Sequence, residues 1–240
     1  LKSSININIA KVDHSSGRWI FEPKLKGCKT LLKLYKKCGN YQTQRATVPM
    51  LFDPREKEKN EFRLINNESA DLVEILNNWP MCNNDIELNP KEDQEKILYW
   101  HKLIQENINN GVYKCGFARN QNSYKNASES LFSSLKIVEE NLQSNGPWLC
   151  GKSLTIADIR LFPTLIRWET IYNPLFKCSK EPLSSFPNII KWRENLFNLK
   201  GVAETCDASA WRKDYFGALF PLNPSSIIPD GKSIHKIVNH

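Results

Sequence analysis

The spacing of apolar residues changes once along this 240-residue chain, and this change limits the possible folds more than any other feature. Up to residue 78, short apolar runs with the spacing of strands mix with helical patterns, and from residue 96 the spacing is helical almost throughout. Residues 79–95 hold Pro80 and Pro90 and show no periodicity, which is typical of a linker. We therefore predict an α+β chain with a mixed domain at 1–78, a linker at 79–95 and an all-helical domain at 96–240.

The mixed domain is expected to contain strands and two helices. Ile5–Ile9 alternates apolar and polar residues at the period of a strand. Apolar residues at helical spacing in Leu31–Cys38, with lysines around them, indicate an amphipathic helix with a solvated lysine face; attraction to nucleic acid or membranes is the alternative. Apolar runs at 46–53 and 62–65 predict a hairpin, and a helix should follow at 70–77.

Four helices are predicted in the second domain from apolar faces and from glycine and proline end signals. The first should stop at Gly111, after a face formed by Ile97, Trp100, Leu103, Ile104 and Ile108. The second should end near Gly146, the third should begin at Thr155, and the fourth should run from Pro187 to Gly201. The proline-containing tail is expected to be an extended strap over the surface.

The composition excludes several classes of protein. Lysine and arginine total 33 against 26 acidic residues, which gives a net charge of +7, and 40% of the residues are hydrophobic, as in ordinary globular proteins. No apolar run approaches the roughly 20 residues that a membrane helix needs. The seven cysteines include no CxxC pair and the four histidines are scattered, so we expect a reduced, intracellular protein without a metal site.

Pro49 interrupts an apolar run. A proline cannot donate to a sheet ladder, so a strand at 46–53 should lie at an edge. A cis Val48–Pro49 peptide would turn the backbone N–H and C=O of Val48 outward, where they could pair with an extended peptide. A plain edge strand with a trans proline is the alternative, and the spacing alone does not choose between the two.

The segment Asn66-Asn67-Glu68-Ser69 lies directly before a predicted helix. Helix N-termini expose unpaired N–H groups and carry positive partial charge, so they suit a ligand carboxylate. Ser69 adds a hydroxyl donor, and Glu68 could bind a ligand ammonium group. The alternative is a simple N-cap, in which Ser69 or Asn67 bonds its own helix.

Residues 155–158 form a capping box, in which Thr155 and Asp158 each satisfy an orphan backbone N–H group. We predict a structural role for this motif and no catalytic one. Taken together, the proline strand, the Glu-Ser pair opening a helix and the capping box resemble, in order and spacing, a glutathione transferase. The fold of that superfamily is a thioredoxin-like domain followed by an all-helical domain.

Longer segments resemble the glutathionyl-hydroquinone reductases, the xi-class, omega-like branch of that superfamily. The resemblance covers essentially all 240 residues, and its most specific part is the run NNGVYKCGFA at 109–118. The other matching segments are 17–21, 45–49, 65–69, 157–162, 176–178 and 223–229.

Two features depart from the family pattern. Family members carry a nucleophilic cysteine followed by proline at the first strand-to-helix turn of the thioredoxin-like domain. Leu1 falls just after that helix, so we expect the first strand, the helix and the nucleophilic cysteine to lie upstream of this chain. The family's His-Tyr-Tyr in the tail reads Asp214-Tyr215-Phe216 here, which keeps the first tyrosine.

The resemblance implies an enzyme that reduces glutathionyl-hydroquinones with glutathione as co-substrate. A cysteine thiolate attacks the thioether sulfur, the hydroquinone leaves, and a second glutathione resolves the mixed disulfide. By the same resemblance, Trp19 and Arg45 would contact glutathione. Val48 would pair with the cysteinyl backbone of glutathione, and Glu68 and Ser69 would hold its γ-glutamyl end.

Tyr113 and Tyr215 are the catalytic candidates, because by resemblance they would donate hydrogen bonds to the hydroquinone. Core or interface tyrosines are the alternative at both positions. A further set could line the same cavity or brace the helices, and we favour bracing for Arg160, Arg167 and Tyr172. Cys115 is interpreted as a small buried hydrophobe.

The resemblance also implies a cytoplasmic homodimer that acts on small molecules, with no nucleic-acid or membrane partner. No cysteine in the chain precedes a proline. Two other functions therefore stay open: a glutathione-binding protein without chemistry, and a transferase-like scaffold that binds partner proteins through its helical domain.

Overall fold

The computed structural model describes residues 5–40, 46–57, 61–79, 87–218 and 221–238. The chain divides into two compact units, Leu1–Asp85 and Ile86–His240. This division falls within the stretch that the sequence assigns to a linker. Helical structure nevertheless begins earlier than residue 96, with a 3₁₀ turn at Lys91–Asp93 that leads directly into a helix.

The first unit contains two antiparallel sheets in its described residues. The three-stranded sheet consists of β1 (Lys11–Asp13), β2 (Arg18–Leu25) and β3 (Cys28–Thr30), in that order. The second sheet is a hairpin of β4 (Leu51–Lys57) and β5 (Glu61–Asn66). The predicted hairpin is confirmed, although its first strand begins at Leu51, so that Pro49 precedes the strand.

The strand predicted at Ile5–Ile9 is wrong. These residues pair with no strand in the part of the chain that the structure describes, and Ile7 is 83% exposed. Extending the β1–β2 ladder beyond the pair Lys11–Ile20 would bring residues 7–9 opposite Pro23, which has no N–H to donate. The alternation of isoleucine and asparagine therefore lacks both the partner strand and the buried face that a strand needs.

Two short helices complete the first unit. α1 (Leu31–Lys37) begins at Thr30, whose hydroxyl accepts the N–H of Lys33 at 3.1 Å, and its apolar face is buried against the three-stranded sheet and β5. The amphipathic interpretation is confirmed for this helix. α2 (Ser69–Asn77) confirms the helix predicted at 70–77. The core of the unit is formed by Phe21, Cys28, Leu31, Leu34, Tyr35 and Phe62.

The second unit is helical throughout its regular structure. Its α-helices are α3 (Gln94–Leu103), α4 (Asn110–Gly116), α5 (Gln121–Asn145), α6 (Ile156–Leu165), α7 (Pro187–Phe197), α8 (Ala208–Ala218) and α9 (Ile234–Val238). Two π-helical segments, Ile104–Asn109 and Trp168–Tyr172, follow α3 and α6 respectively. None of the helices within the described ranges is long and apolar enough to cross a membrane.

Several predicted helix ends differ from the structure. The first helical stretch does not stop at Gly111, because a π-helical segment carries it onward into α4, where Gly111 packs against Leu131. α7 ends at Phe197, and Gly201 lies in the turn that follows. The tail predicted as an extended strap instead begins with turns at 221–222 and 224–225 and ends in a helix. This helix, α9, packs on α7, where the ring centroids of His235 and Phe197 lie 5.2 Å apart.

The capping box at 155–158 is confirmed and does more than cap a helix. The Asp158 carboxylate is fully buried and accepts the backbone N–H of Thr155 at 2.9 Å. It also accepts the backbone N–H of Leu149 at 2.9 Å and the indole N–H of Trp192 on α7 at 2.8 Å. Burial raises the pKa of Asp158, and these donors oppose that rise. One carboxylate therefore joins the start of α6, the loop before it and α7.

We expect Asp158→Ala to lower the free energy of unfolding by about 3–5 kcal/mol, because three buried N–H groups lose their acceptor. Asp207→Ala is the matched control: it removes an exposed carboxylate that caps α8, which should cost about 1 kcal/mol. Urea unfolding of both variants measures the difference. Equal losses in the two variants would contradict the central role of Asp158.

Candidate active site

The Val48–Pro49 peptide is cis, as predicted. Val48 is 44% exposed, and its main chain makes no hydrogen bond within the described residues. Thr47, directly before it, is fixed from the core, because its carbonyl accepts the hydroxyl of Tyr35 at 2.9 Å. The backbone of Val48 is thus held in place and open to a partner, which is what pairing with an extended ligand requires.

The N-terminus of α2 is open as well. Glu68 is its N-cap residue, and neither Ser69 nor Asn67 caps the helix with its side chain. The alternative of a simple N-cap is therefore wrong. Instead the carboxamide of Asn66 accepts the N–H of Glu68 at 2.6 Å and donates to Asp71 at 3.1 Å. Glu68 and Ser69 are exposed and available to a ligand.

Strand register places the two features together. Leu51 pairs with Asn66, so the residues before β4 and the residues after β5 lie at the same end of the hairpin. Val48 and the pair Glu68–Ser69 therefore share one end of this unit, as expected for parts of one site.

Two predicted glutathione contacts are not placed there by the structure. Trp19 is partly buried on β2, where it pairs with Val12 and packs against the core of the first unit as a core aromatic residue does. Arg45 lies outside the described residues. The roles of both residues stay predictions.

The second unit brings three tyrosines together. The hydroxyls of Tyr113 on α4 and Tyr215 on α8 lie 3.0 Å apart, and the hydroxyl of Tyr172 lies 3.4 Å from that of Tyr215. Phe176 packs edge-on against all three rings, with centroid distances of 5.2, 5.3 and 6.0 Å. We call Tyr113, Tyr172, Tyr215 and Phe176 the tyrosine cluster. It unites the two predicted catalytic candidates, which lie 102 positions apart in sequence.

The tyrosine cluster is arranged to donate hydrogen bonds. Burial is the main cause that raises the pKa of both Tyr113 and Tyr172 above the ordinary value of 10.0, with the neighbouring hydroxyl of Tyr215 adding to it. Their hydroxyls therefore keep their protons at neutral pH. Tyr113 is also 39% exposed, which leaves the cluster accessible from solvent on its side.

Sequence reasoning missed that Tyr172 belongs to this cluster, since bracing was favoured for it. Its helical segment is a π-helix, and apolar periodicity computed for α-helices does not reveal where such a segment points its side chains. Arg160 does brace the helices: its side chain donates to Gln105 at 3.1 Å, and its carbonyl accepts the carboxamide of Asn109 at 3.1 Å.

The described cysteines offer no accessible thiolate. Five of the six free cysteines are buried, and burial raises the pKa of the partly buried sixth, Cys38, to about 11. The thiols of Cys115 and Cys178 bond each other, which lowers the pKa of Cys115, but that side chain is 1% exposed, in line with the small buried hydrophobe expected. Cys82 lies outside the described residues.

Where the structure describes the chain, no three His, Cys, Asp or Glu residues form a metal site.

Comparison with known proteins gives a consistent result. The profile described as "Glutathione S-transferase, C-terminal domain" matches residues 121–195. The glutathionyl-hydroquinone reductase PcpF of Sphingobium chlorophenolicum is 32% identical, over 96% of this chain and 75% of PcpF. The glutathionyl-hydroquinone reductase YqjG of Escherichia coli is 30% identical, over 96% of this chain and 72% of YqjG.

Solved structures agree. A Xi class glutathione transferase from Natrialba magadii has a TM-score of 0.87 at 29% identity, over 97% of this chain and 72% of that one. The glutathione-bound structure of YqjG from Escherichia coli has a TM-score of 0.83 at 29% identity, over 95% and 76%. The fold is that of a glutathione transferase, with a thioredoxin-like unit followed by a helical one, and the protein is an enzyme of that type. Within this superfamily, the chain belongs to the xi-class family of glutathionyl-hydroquinone reductases.

Gly116 sets the position of the tyrosine cluster. A Cβ atom at Gly116 would overlap the ring of Phe176, whereas a Cβ atom at Gly111 in the same helix would meet Leu131 at an ordinary 3.4 Å. Gly116→Ala should therefore cost about 1–3 kcal/mol of unfolding free energy through overpacking. Gly111→Ala should cost less than about 1 kcal/mol, because alanine also favours the helix. Thermal unfolding measures both, and similar losses would contradict this packing.

The raised pKa of Tyr172 makes stability depend on alkaline pH. The folded state holds the Tyr172 proton more tightly than the unfolded chain does, so this contribution is complete below pH 10.0 and is lost as pH rises further. Urea unfolding at about pH 9 and about pH 11 should show this loss, and Tyr172→Phe should reduce it. Phe117→Leu removes a ring next to Phe176 but no hydroxyl, and should keep the wild-type loss. An unchanged loss in Tyr172→Phe would contradict the argument.

Proposed function

We propose that this protein reduces glutathionyl-hydroquinones, with glutathione as its co-substrate. The observation that carries the proposal is the meeting of Tyr113 and Tyr215, whose hydroxyls lie 3.0 Å apart beside the ring of Phe176. Two phenol hydroxyls that lie side by side, one of them on a ring that is 39% exposed, suit a substrate that carries phenolic oxygens. Membership of a family with named glutathionyl-hydroquinone reductases supports the same substrate class.

Glutathione would bind to the first unit. The free main chain of Val48 would pair with its cysteinyl backbone, as an added strand pairs with a sheet edge. The uncapped N-terminus of α2, with Ser69, would bind the γ-glutamyl carboxylate, and Glu68 would bind the γ-glutamyl ammonium group. Trp19 and Arg45 would add contacts to the rest of the tripeptide.

The reaction proceeds by exchange at sulfur. A cysteine thiolate attacks the sulfur of the glutathionyl-hydroquinone, so that a sulfur–sulfur bond forms and the bond between sulfur and the ring carbon breaks. The electron pair of the broken bond goes to the ring, which takes up a proton and leaves as the hydroquinone. A second glutathione then attacks the mixed disulfide, which releases glutathione disulfide and restores the thiolate.

The attacking cysteine lies outside these 240 residues in this proposal. The described cysteines are buried or, in Cys38, have a pKa raised to about 11, and neither condition suits a thiolate nucleophile. Buried Cys115 would be the first candidate if this part of the proposal failed. We also propose that the protein acts as a homodimer in the cytoplasm.

Single-turnover reduction of a glutathionyl-hydroquinone tests the proposal. The full-length protein should react, the 240-residue chain should not, and Tyr215→Phe in the full-length protein should slow the reaction by about 10²-fold. Tyr124→Phe, which removes a tyrosine hydroxyl bonded to the carbonyl of Lys177, should leave the rate unchanged.

Two results would overturn parts of this proposal. Equal activity of the short chain would place the nucleophile within it, and Cys115→Ser would then be the variant to measure. Retention on immobilised glutathione without any turnover by the full-length protein would favour a binding protein without chemistry.

A further inference from the structure

Arg167 lies five residues before Tyr172 and contacts α8, the helix that carries Tyr215. It directly precedes the π-helical segment, and its carbonyl accepts the N–H of Ile171 at 2.8 Å and that of Tyr172 at 3.4 Å. Its guanidinium lies over the ring of Trp211 at 4.9 Å, and Trp211 stands four residues before Tyr215 on α8. The stretch 167–172 therefore contacts α8 at two places: Tyr172 lies against Tyr215, and Arg167 lies against Trp211.

The donors of Arg167 are largely unused. One terminal nitrogen donates to the carbonyl of Pro163 at 2.9 Å, while the Nε–H is buried and has no acceptor. No carboxylate in the described ranges forms an ion pair with Arg167. Glu169, on the same π-helical segment, is bound instead by Arg193 at 2.7 Å. A buried guanidinium donor without an acceptor normally carries a cost, which an anionic ligand would remove.

The groups around Arg167 respond to its charge. Burial raises the pKa of both Tyr113 and Cys206, and Arg167 opposes the rise in each case. Tyr172 follows Arg167 on the adjoining segment, and Tyr215 and the acidic residue Asp214 lie on α8 with Trp211. Arg167 is thus a positive charge close enough to Tyr113 and Cys206 to act on both.

We propose that Arg167 binds the anionic oxygen of the phenolic substrate at the tyrosine cluster, and so selects the phenolate over the phenol. This inference rests on the proposed function and adds to it a charge preference and a further binding residue. A guanidinium offers planar, paired N–H donors that suit an oxyanion, and the contact with the ring of Trp211 at 4.9 Å holds it beside α8. Bracing, expected for Arg167 from the sequence, accounts for the bond to Pro163 but not for the unused donors.

The chemistry of the reaction calls for such a charge. When a hydroxyl proton of the hydroquinone moves to the ring carbon that bears sulfur, the ring takes a keto form. Cleavage of the bond between sulfur and that carbon then sends the electron pair through the ring to the carbonyl oxygen. Negative charge therefore develops on this oxygen until it takes up a proton. The tyrosine hydroxyls can donate to that oxygen, and a guanidinium beside them stabilises its charge in a site of low dielectric constant.

Binding of 4-nitrophenol to the full-length protein tests the inference without any turnover, because the bound phenolate and phenol differ in absorption. The wild-type protein should bind the phenolate more tightly than the phenol, so the pKa of the bound dye should fall. Arg167→Met keeps the stack on Trp211 but removes the charge, and should weaken phenolate binding by about 10- to 100-fold while phenol binding changes little.

Two further variants complete the design. Arg167→Lys keeps the charge without the planar donors and should restore part of the phenolate preference. Arg212→Met is the matched control: this neighbouring arginine binds the tail carbonyls of Gly231 and Lys232, so its loss should leave the preference intact. An unchanged pKa of the bound dye in Arg167→Met would overturn the inference.

The kinetic test separates this inference from the proposed function. If the wild-type protein reduces glutathionyl-hydroquinones, Arg167→Met should lower kcat more than it raises KM, and most for ring systems with the least acidic hydroxyls. If the wild-type protein turns over and Arg167→Met has an unaltered kcat, the inference about Arg167 is wrong and the proposed function stands. If the wild-type protein does not turn over but still selects the phenolate, the proposed reaction is wrong and the inference that Arg167 binds the phenolate stands.

Discussion

One buried carboxylate, that of Asp158, connects the elements on which the helical unit depends. It binds the loop at Leu149, the start of α6 and the indole of Trp192 on α7. A charge in this position is costly, and only a full set of N–H donors makes it tolerable. Since α6 leads into the π-helical segment with Tyr172, the placement of the tyrosine cluster begins from this point.

α7 holds the same stretch at its other end. Arg193, next to Trp192, is almost completely buried and donates to the carbonyl of Leu165 at 3.2 Å and to Glu169 at 2.7 Å. Consecutive residues of one helix thus bind both ends of α6. Asn109, in the other π-helical segment, binds α6 from a third side through the hydroxyl of Thr164 and the carbonyl of Arg160. The cluster is therefore supported by polar contacts that are directional, in addition to apolar packing.

Local chemistry was enough to predict the features that depend on neighbours in sequence. The capping box at Thr155 and the proline start of α7 each follow from a few adjacent residues, whereas the residues around Pro49 left cis and trans open. The Tyr113–Tyr215 pair was anticipated only through resemblance to a family, because residues that far apart meet by tertiary packing. The predicted helix end at Gly111 was wrong for a related reason. A glycine can end a helix or allow a neighbouring side chain to approach closely, and the sequence does not show that Leu131 packs against this one.

The π-helical segment that follows Arg167 affects which of its side chains face α8. In an α-helix, residues five positions apart point about 140° away from each other, because each residue turns about 100°. The wider turns of the π-helical segment Trp168–Tyr172 reduce this divergence, and the guanidinium of Arg167 and the phenol of Tyr172 both contact α8. Loss of one residue from this segment would preserve the helix and its hydrogen bonds, yet it would rotate one of the two groups out of the site. The length of the segment is thus as much a part of the site as the side chains it carries.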